Sequence, residues 1–231
     1  MDASANADKL NFKLVFPIFV IVLIDLLGLT IIIPLLPLYA ATFGANPLMI
    51  GIIGATFPLL QLIGSPLLGG LSDRFGRKPV LIVSQIGTLI GFLLLGAANA
   101  LPLLLLSRAI DGLSGANIVA AQASISDITT ERNRAQGLGL IGAAFGLGFT
   151  IGPALAGIAL ALTGNNYRVP AYLAAGFSLL SIILTVVWFK ETLPAEKRGA
   201  RKEGGSLLQN VRRAFSLPVV ALLLILIFMQ Q

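Results

Sequence analysis

Three ionisable side chains interrupt otherwise apolar runs: Asp25, Arg108 and Asp111. Each costs about 2.5–3.5 kcal/mol at the centre of a membrane helix, and the three together cost on the order of 8–10 kcal/mol. Arg108 and Asp111 are three residues apart, so on a helix they share a face and suit a buried ion pair. Asp25 has no such partner on its own run. The sequence has no His and no Cys, so proton chemistry falls to carboxylates, and disulfides and thiolate metal sites are excluded. A cation lowers a carboxyl pKa and desolvation raises it. The expectation is that Arg108 keeps Asp111 ionised and Asp25 exchanges a proton. A cation from outside this chain would reverse the two roles.

The elements that position these groups are membrane spans. The 231 residues are 56% hydrophobic and only 11% charged, against about 25% charged in a soluble domain. Apolar runs place six helices at Leu14–Ala41, Leu48–Leu71, Pro79–Ala98, Leu101–Ser126, Ala135–Leu162 and Val169–Phe189, here spans 1 to 6. Each has the ~20 residues that a ~30 Å hydrocarbon core requires. Residues 1–13 form a polar tail, too short and followed by too long a run for a cleaved leader. Residues 190–216 read as a basic linker in which SLLQNVRRAF suggests a short surface helix, and residues 217–231 as the start of a seventh helix.

Charge fixes the orientation. Fourteen of the sixteen Lys and Arg residues fall on one side if the N-terminus is cytoplasmic; Arg168 alone lies opposite, and Arg108 is inside. The net charge of +6 is therefore topological rather than a nucleic-acid signature. On this frame Asp25 lies ~16 Å from the cytoplasmic start of span 1 and Asp111 ~15 Å from the outer start of span 4. Both approach the midplane, where transporters bind substrate and ions. On a continuous span 4, Arg108, Asp111, Gly112, Gly115, Val119, Gln122 and Ser126 form one stripe facing a water-filled cavity, with Asn117 opposite Arg108. In span 1, Pro34 and Pro37 bend the outer half. Tyr39 shares Asp25's face, and either lines the cavity or belongs to the interfacial aromatic belt.

Two segments repeat weakly. Ile53-Gly54-Ala55-x-Phe57 and Ile63-Gly64 of span 2 recur at an offset of 88 as Ile141-Gly142-Ala143-x-Phe145 and Ile151-Gly152 of span 5, and Asp25 and Asp111 are 86 apart. Three-helix copies have opposite orientation because three is odd. Nested inverted repeats of this kind are described for one large transporter superfamily. In span 5, Gly139, Gly142, Gly146, Pro153 and Gly157 form a ridge suited to close helix packing.

The stretch Gly69–Pro79, GGLSDRFGRKP, reads as a tight turn between spans 2 and 3, with Asp73 ahead of Arg74, Arg77 and Lys78. A positive-inside stop needs only the cations. The acid and the glycines at fixed offsets resemble the signature loop of the major facilitator superfamily, through Gly70, Asp73, Arg74, Gly76, Arg77 and Lys78. R-A-I-D-G in span 4 resembles that family's Arg-x-x-x-Gly motif, with Asp111 where an uncharged polar residue is common. Gly148-x-x-x-Gly152-Pro153 with Gly157 resembles the span-5 motif of its exporters, with Ala156 in a slot that is usually Gly. The whole is similar to the tetracycline and multidrug:proton antiporters, although span 3 lacks the acid that strict tetracycline pumps carry there.

That resemblance implies an all-α integral membrane fold. Its six helices, in two inverted three-helix repeats, form the N-terminal half of a twelve-helix transporter in the inner membrane. It implies alternating access, export of a lipophilic drug against inward proton flow, no cofactor beyond the proton gradient, and a C-terminal six-helix half as partner. Asp73 becomes a conformational latch that meets the other half, with Arg77 its neighbour and the span 4–5 loop (Asp127, Glu131, Arg132, Arg134) in the same charge network. Candidate substrate contacts are Tyr39, Gln61, Asn117, Gln122 and Phe145. A proton symporter for a small metabolite shares fold and topology, and direction of flux separates the two. A six-helix scaffold without transport leaves the cost of Asp25 unexplained. No enzyme constellation and no metal-ligand set is present.

Overall fold

The computed structural model describes residues 10–199, so the expected surface helix in SLLQNVRRAF and the start of a seventh helix lie outside the described residues. Six helical spans are long and apolar enough to cross a membrane, and no strand occurs among the described residues. Spans 2, 3, 5 and 6 are single helices: Pro47–Phe75, Arg77–Gly96, Arg134–Leu162 and Arg168–Val187. Span 1 is two helices, Phe12–Ile32 and Leu36–Thr42. Its interruption falls at Pro34 and just ahead of Pro37, as two missing backbone donors require. Span 4 is also two helices, Leu101–Ser114 and Asn117–Ile128, where the sequence suggests one.

Local signals set several ends. The Asn46 side chain accepts the Met49 amide at 2.8 Å and Pro47 opens span 2. Gly164 and Asn165, at φ 62° and 64°, reverse the chain between spans 5 and 6.

The packing reproduces the repeat. Span 1 packs on spans 5 and 6, span 4 on spans 2 and 3, and spans 3 and 6 on each other. Exchanging 1 with 4, 2 with 5 and 3 with 6 returns the same set of pairs. One contact matches residue by residue as well. Gly148 of span 5 lies against Leu26, and Gly112 of span 4 lies against Leu60. Leu60 and Gly148 are 88 apart, and Leu26 and Gly112 are 86 apart, the two offsets read from the sequence. Gly64 and Gly152 are also 88 apart, and each meets the partner span with no room for a Cβ, at Leu113 and at Thr30.

The span-5 ridge is different from its expectation. Gly139, Gly142, Gly146 and Gly157 have nothing within 4 Å of a Cβ, so among the described residues they pack on no helix. The close approach is made instead by Gly148 and Gly152, where the Thr30 hydroxyl donates to the Gly148 carbonyl at 2.9 Å. Gly152→Ala drives its methyl into Thr30 and should lower stability by about 1–3 kcal/mol. Gly139→Ala, in open space, should not. Thermal unfolding of the two variants in one detergent measures the difference.

Candidate functional site

The break in span 4 builds the centre of the bundle. Its freed Gly115 carbonyl accepts the Gln61 amide at 2.9 Å and the Ser65 hydroxyl at 3.0 Å, both from span 2. From span 3, the Ser84 hydroxyl donates to the Ser114 carbonyl and accepts the Ala116 amide at 3.1 Å. Groups that a helix interruption would orphan are thus satisfied by neighbouring helices. The interruption resets the helical phase, so Asn117 turns to span 1 and its side-chain amide donates to Asp25 Oδ2 at 2.5 Å.

A cavity of about 30 Å³ lies at this junction. Asp25, Asn117, Gln61, Thr88, Asp111 and Phe92 are among its lining residues. A buried water needs ~10–15 Å³ of such space, so about two fit. Among the described residues, Asp25 Oδ1, Asn117 Oδ1, Asp111 Oδ2 and Arg108 Nε and Nη2 are buried here without a hydrogen-bond partner. Arg108 and Asp111, each 2% exposed, pair at 3.2 Å. The guanidinium lies 5.5 Å above the Phe92 ring, and Asp111 packs on Gly91. The two acids are therefore held differently, Asp111 by a cation and Asp25 by a neutral amide.

This geometry corrects the single polar stripe expected of span 4. Arg108 and Asp111 face span 3, Gly112 faces Phe57 and Leu60 of span 2, and Gln122 is exposed beyond the break. Of the five candidate substrate contacts, Gln61 and Asn117 line the cavity and the other three do not. Tyr39 is 5% exposed, stacks on Tyr167 and donates to the Ala98 carbonyl at 3.1 Å, because the break in span 1 turns it away from Asp25's face. Phe145 stacks on Phe149 at 6.2 Å. Thr88 and Phe92 were not singled out in the sequence. Their signal was the cluster Ser84, Gln85 and Thr88 inside an apolar run, polar groups that a span tolerates only where it is packed against protein.

At the basic end of the bundle, the turn between spans 2 and 3 is shorter than the sequence suggests. Gly69 to Phe75 belong to span 2, span 3 starts at Arg77, and only Gly76 stands between them, at φ 108°. Arg77 donates to Asp73 Oδ1 at 2.7 Å, Asp127 Oδ2 at 2.8 Å and Ser72 Oγ at 3.1 Å, which joins the two loops in one network. Arg74 lies 5.4 Å over Phe75, and Lys78 donates to the Val186 carbonyl at 2.8 Å. Gly70 faces open space, beside a groove of about 330 Å³ between spans 2 and 4. In span 5, Gly148 and Gly152 touch span 1, Pro153 lies inside the helix, and Gly157 is open.

Six apolar spans around a charged, hydrogen-bonded midpoint, packed as two exchangeable three-helix units, define a multi-pass membrane protein. The family model described as Major Facilitator Superfamily matches residues 18–231, and the chain belongs to that family. It is 37% identical over 176 residues to the tetracycline resistance protein, class B, of Escherichia coli, covering 75% of this chain and 43% of that protein. It is 30% identical over 219 residues to multidrug resistance protein 2 of Bacillus subtilis (strain 168), covering 91% of this chain and 54% of that protein. Among solved structures, the human organic anion transporter MFSD10 (TETRAN) superposes with a TM-score of 0.72 at 29% identity, over 80% of this chain and 49% of that one. The chain spans about half the length of the curated relatives it matches.

Proposed function

We propose that this chain is the N-terminal half of a drug:proton antiporter that exports lipophilic molecules by alternating access. The observation that carries this reading is Asp25, a membrane-embedded carboxyl on a small, largely apolar cavity, held by the neutral Asn117 amide rather than by a cation. Asp111, next to it on the cavity wall, is neutralised by Arg108. An unneutralised carboxyl at this depth is a costly group whose use is proton exchange. The relatives named for tetracycline and multidrug resistance support drug-like molecules as the substrate class.

In this reading the N-terminus is cytoplasmic in the inner membrane, the proton gradient is the energy source, and no cofactor is used. A C-terminal six-helix half completes the cavity and supplies the surface that meets Asp73. Span 5, with its exporter-like Gly148, Gly152, Pro153 and Gly157, favours antiport over metabolite symport. The test is drug addition to inverted vesicles holding the complete transporter under an imposed proton gradient. Proton release coupled to drug uptake into the vesicles supports antiport, and proton and substrate crossing in the same direction supports symport.

The latch makes a separate prediction. Asp73→Asn removes the charge that pairs with Arg77 at 2.7 Å. Turnover should slow about tenfold, the scale of one charge-assisted hydrogen bond. The dissociation constant for drug should stay within about twofold, since Asp73 is remote from the cavity. Loss of drug binding would sink the latch assignment.

A further inference from the structure

The chain that leaves span 6 does not trail away from the bundle. It folds back under the start of span 3. Glu191 Oε1 accepts the amides of Arg77 at 2.9 Å, Thr192 at 3.0 Å and Leu193 at 3.0 Å. Glu191 Oε2 accepts the Lys78 amide at 3.1 Å and lies 3.8 Å from the Arg198 guanidinium. A helix leaves its first four amides without internal partners. In span 3 those residues are Gly76, Arg77, Lys78 and Pro79, and the Gly76 amide is already taken by the Ser72 carbonyl at 3.1 Å. Glu191 takes those of Arg77 and Lys78, and proline has none to offer. One carboxylate from 114 residues away thus does the work of an N-cap, and its negative charge suits the positive end of the helix dipole.

The rest of the segment is tied to the same place. The Thr192 hydroxyl reaches Asp127 Oδ2 at 3.4 Å, the acid that also holds Arg77. The Gly199 amide donates to the backbone carbonyl of Asp73 at 3.1 Å. Phe189 and Leu193 are buried, at 2% and 8% exposure. Gly76 completes the fit, because a Cβ there would meet the Glu191 carboxylate at 2.5 Å. Glycine is therefore required at this joint twice, by its φ of 108° and by the carboxylate packed on it.

We infer that Glu191 is a positioning residue: it clasps residues 189–199 across the joint of spans 2 and 3 and thereby sets the Arg77–Asp73–Asp127 network. The link to transport rests on the latch reading above. The clasp makes the exit of span 6 part of the latch, because residues 189–199 are tied to the start of span 3 through two backbone amides and one carboxylate. The same amides outweigh the upward push of burial on Glu191 and, with Arg198, hold its carboxyl below the usual glutamate range. The clasp stays ionised at neutral pH. Its contribution is present above the ordinary glutamate value near ~4.3 and is lost as pH falls through the lowered one.

Hydrogen exchange in Glu191→Ala and Glu191→Gln tests the clasp directly. Exchange at the Arg77 and Lys78 amides should speed up about tenfold or more in Glu191→Ala and less in Glu191→Gln, which keeps one acceptor oxygen. Amides in the middle of span 5 should be unchanged. Unchanged rates at Arg77 and Lys78, or a rise shared by span 5, would overturn the inference. In vesicles holding the complete transporter, Glu191→Ala should slow turnover as Asp73→Asn does, and the double variant should be no slower than either. Faster exchange with normal turnover, where Asp73→Asn is slow, overturns the link between clasp and latch. If Asp73→Asn also turns over normally, the latch reading fails and the clasp stands on the exchange data.

Discussion

Asp25→Asn should abolish drug-dependent proton release from inverted vesicles, a fall of about a hundredfold or more, the scale on which a positioned proton carrier acts. The variant is nearly isosteric. Its side-chain oxygen can still accept the Asn117 amide that reaches Asp25 at 2.5 Å, so span 1 stays joined to span 4. What it loses is the ionisable oxygen on the cavity. Exchange of labelled for unlabelled drug across the membrane needs no net proton movement and should persist. Proton release at the normal rate in this variant would reassign the proton to another group.

Arg108→Leu should act on folding rather than on coupling. Arg108 and Asp111 are each 2% exposed and 3.2 Å apart. Removing one partner of such a pair leaves an uncompensated buried charge and costs about 3–5 kcal/mol. That is a large part of the ~5–15 kcal/mol that holds a typical domain together. The yield of folded protein in detergent and its unfolding temperature should both drop sharply. Asp111→Leu should be similarly damaging. The double variant Arg108→Leu/Asp111→Leu replaces the pair with apolar volume beside Phe92 and should recover most of the stability. A double variant as unstable as the single ones would show that the pair is not what the site depends on.

The contrast between these two substitutions is the functional content of the site. Two acids lie on one cavity wall, and their neighbours differ by a full charge. Sequence spacing gave the Arg108–Asp111 pair, because residues three apart on a helix must share a face. It also isolated Asp25 and placed both acids near the midplane. The six spans followed from apolar runs, with ends within a few residues of the observed ones. The break in span 1 was written in Pro34 and Pro37.

What the sequence did not show was decided by tertiary contacts. Span 4 has no proline at its break. Only Gly112 and Gly115 hint at one, and the break forms because Gln61, Ser65 and Ser84 take up its freed polar groups. A continuous helix therefore put Asn117 on the wrong side and drew a polar stripe that the folded chain divides. Tyr39 failed in the same way, by counting helical phase through the interruption in span 1. The glycines of Gly69–Pro79 suggested a turn, yet Gly69 and Gly70 are helical and one residue makes the joint. Glu191 had no local signal at all, since the amides it takes are 113 and 114 residues away.

That one-residue joint has a consequence for how the chain can change. Surface connections usually tolerate added or lost residues. Here a single inserted residue absorbed into span 3 would rotate everything after it by about 100° and advance it by 1.5 Å. Gln85, whose amide meets Ser181 of span 6 at 2.7 Å, would swing out of the bundle. Ser84 would leave the break in span 4. A stretch dense in charge is thus also inelastic in length. Its spacing works as a ruler that keeps span 3 in phase with both of the helices it supports.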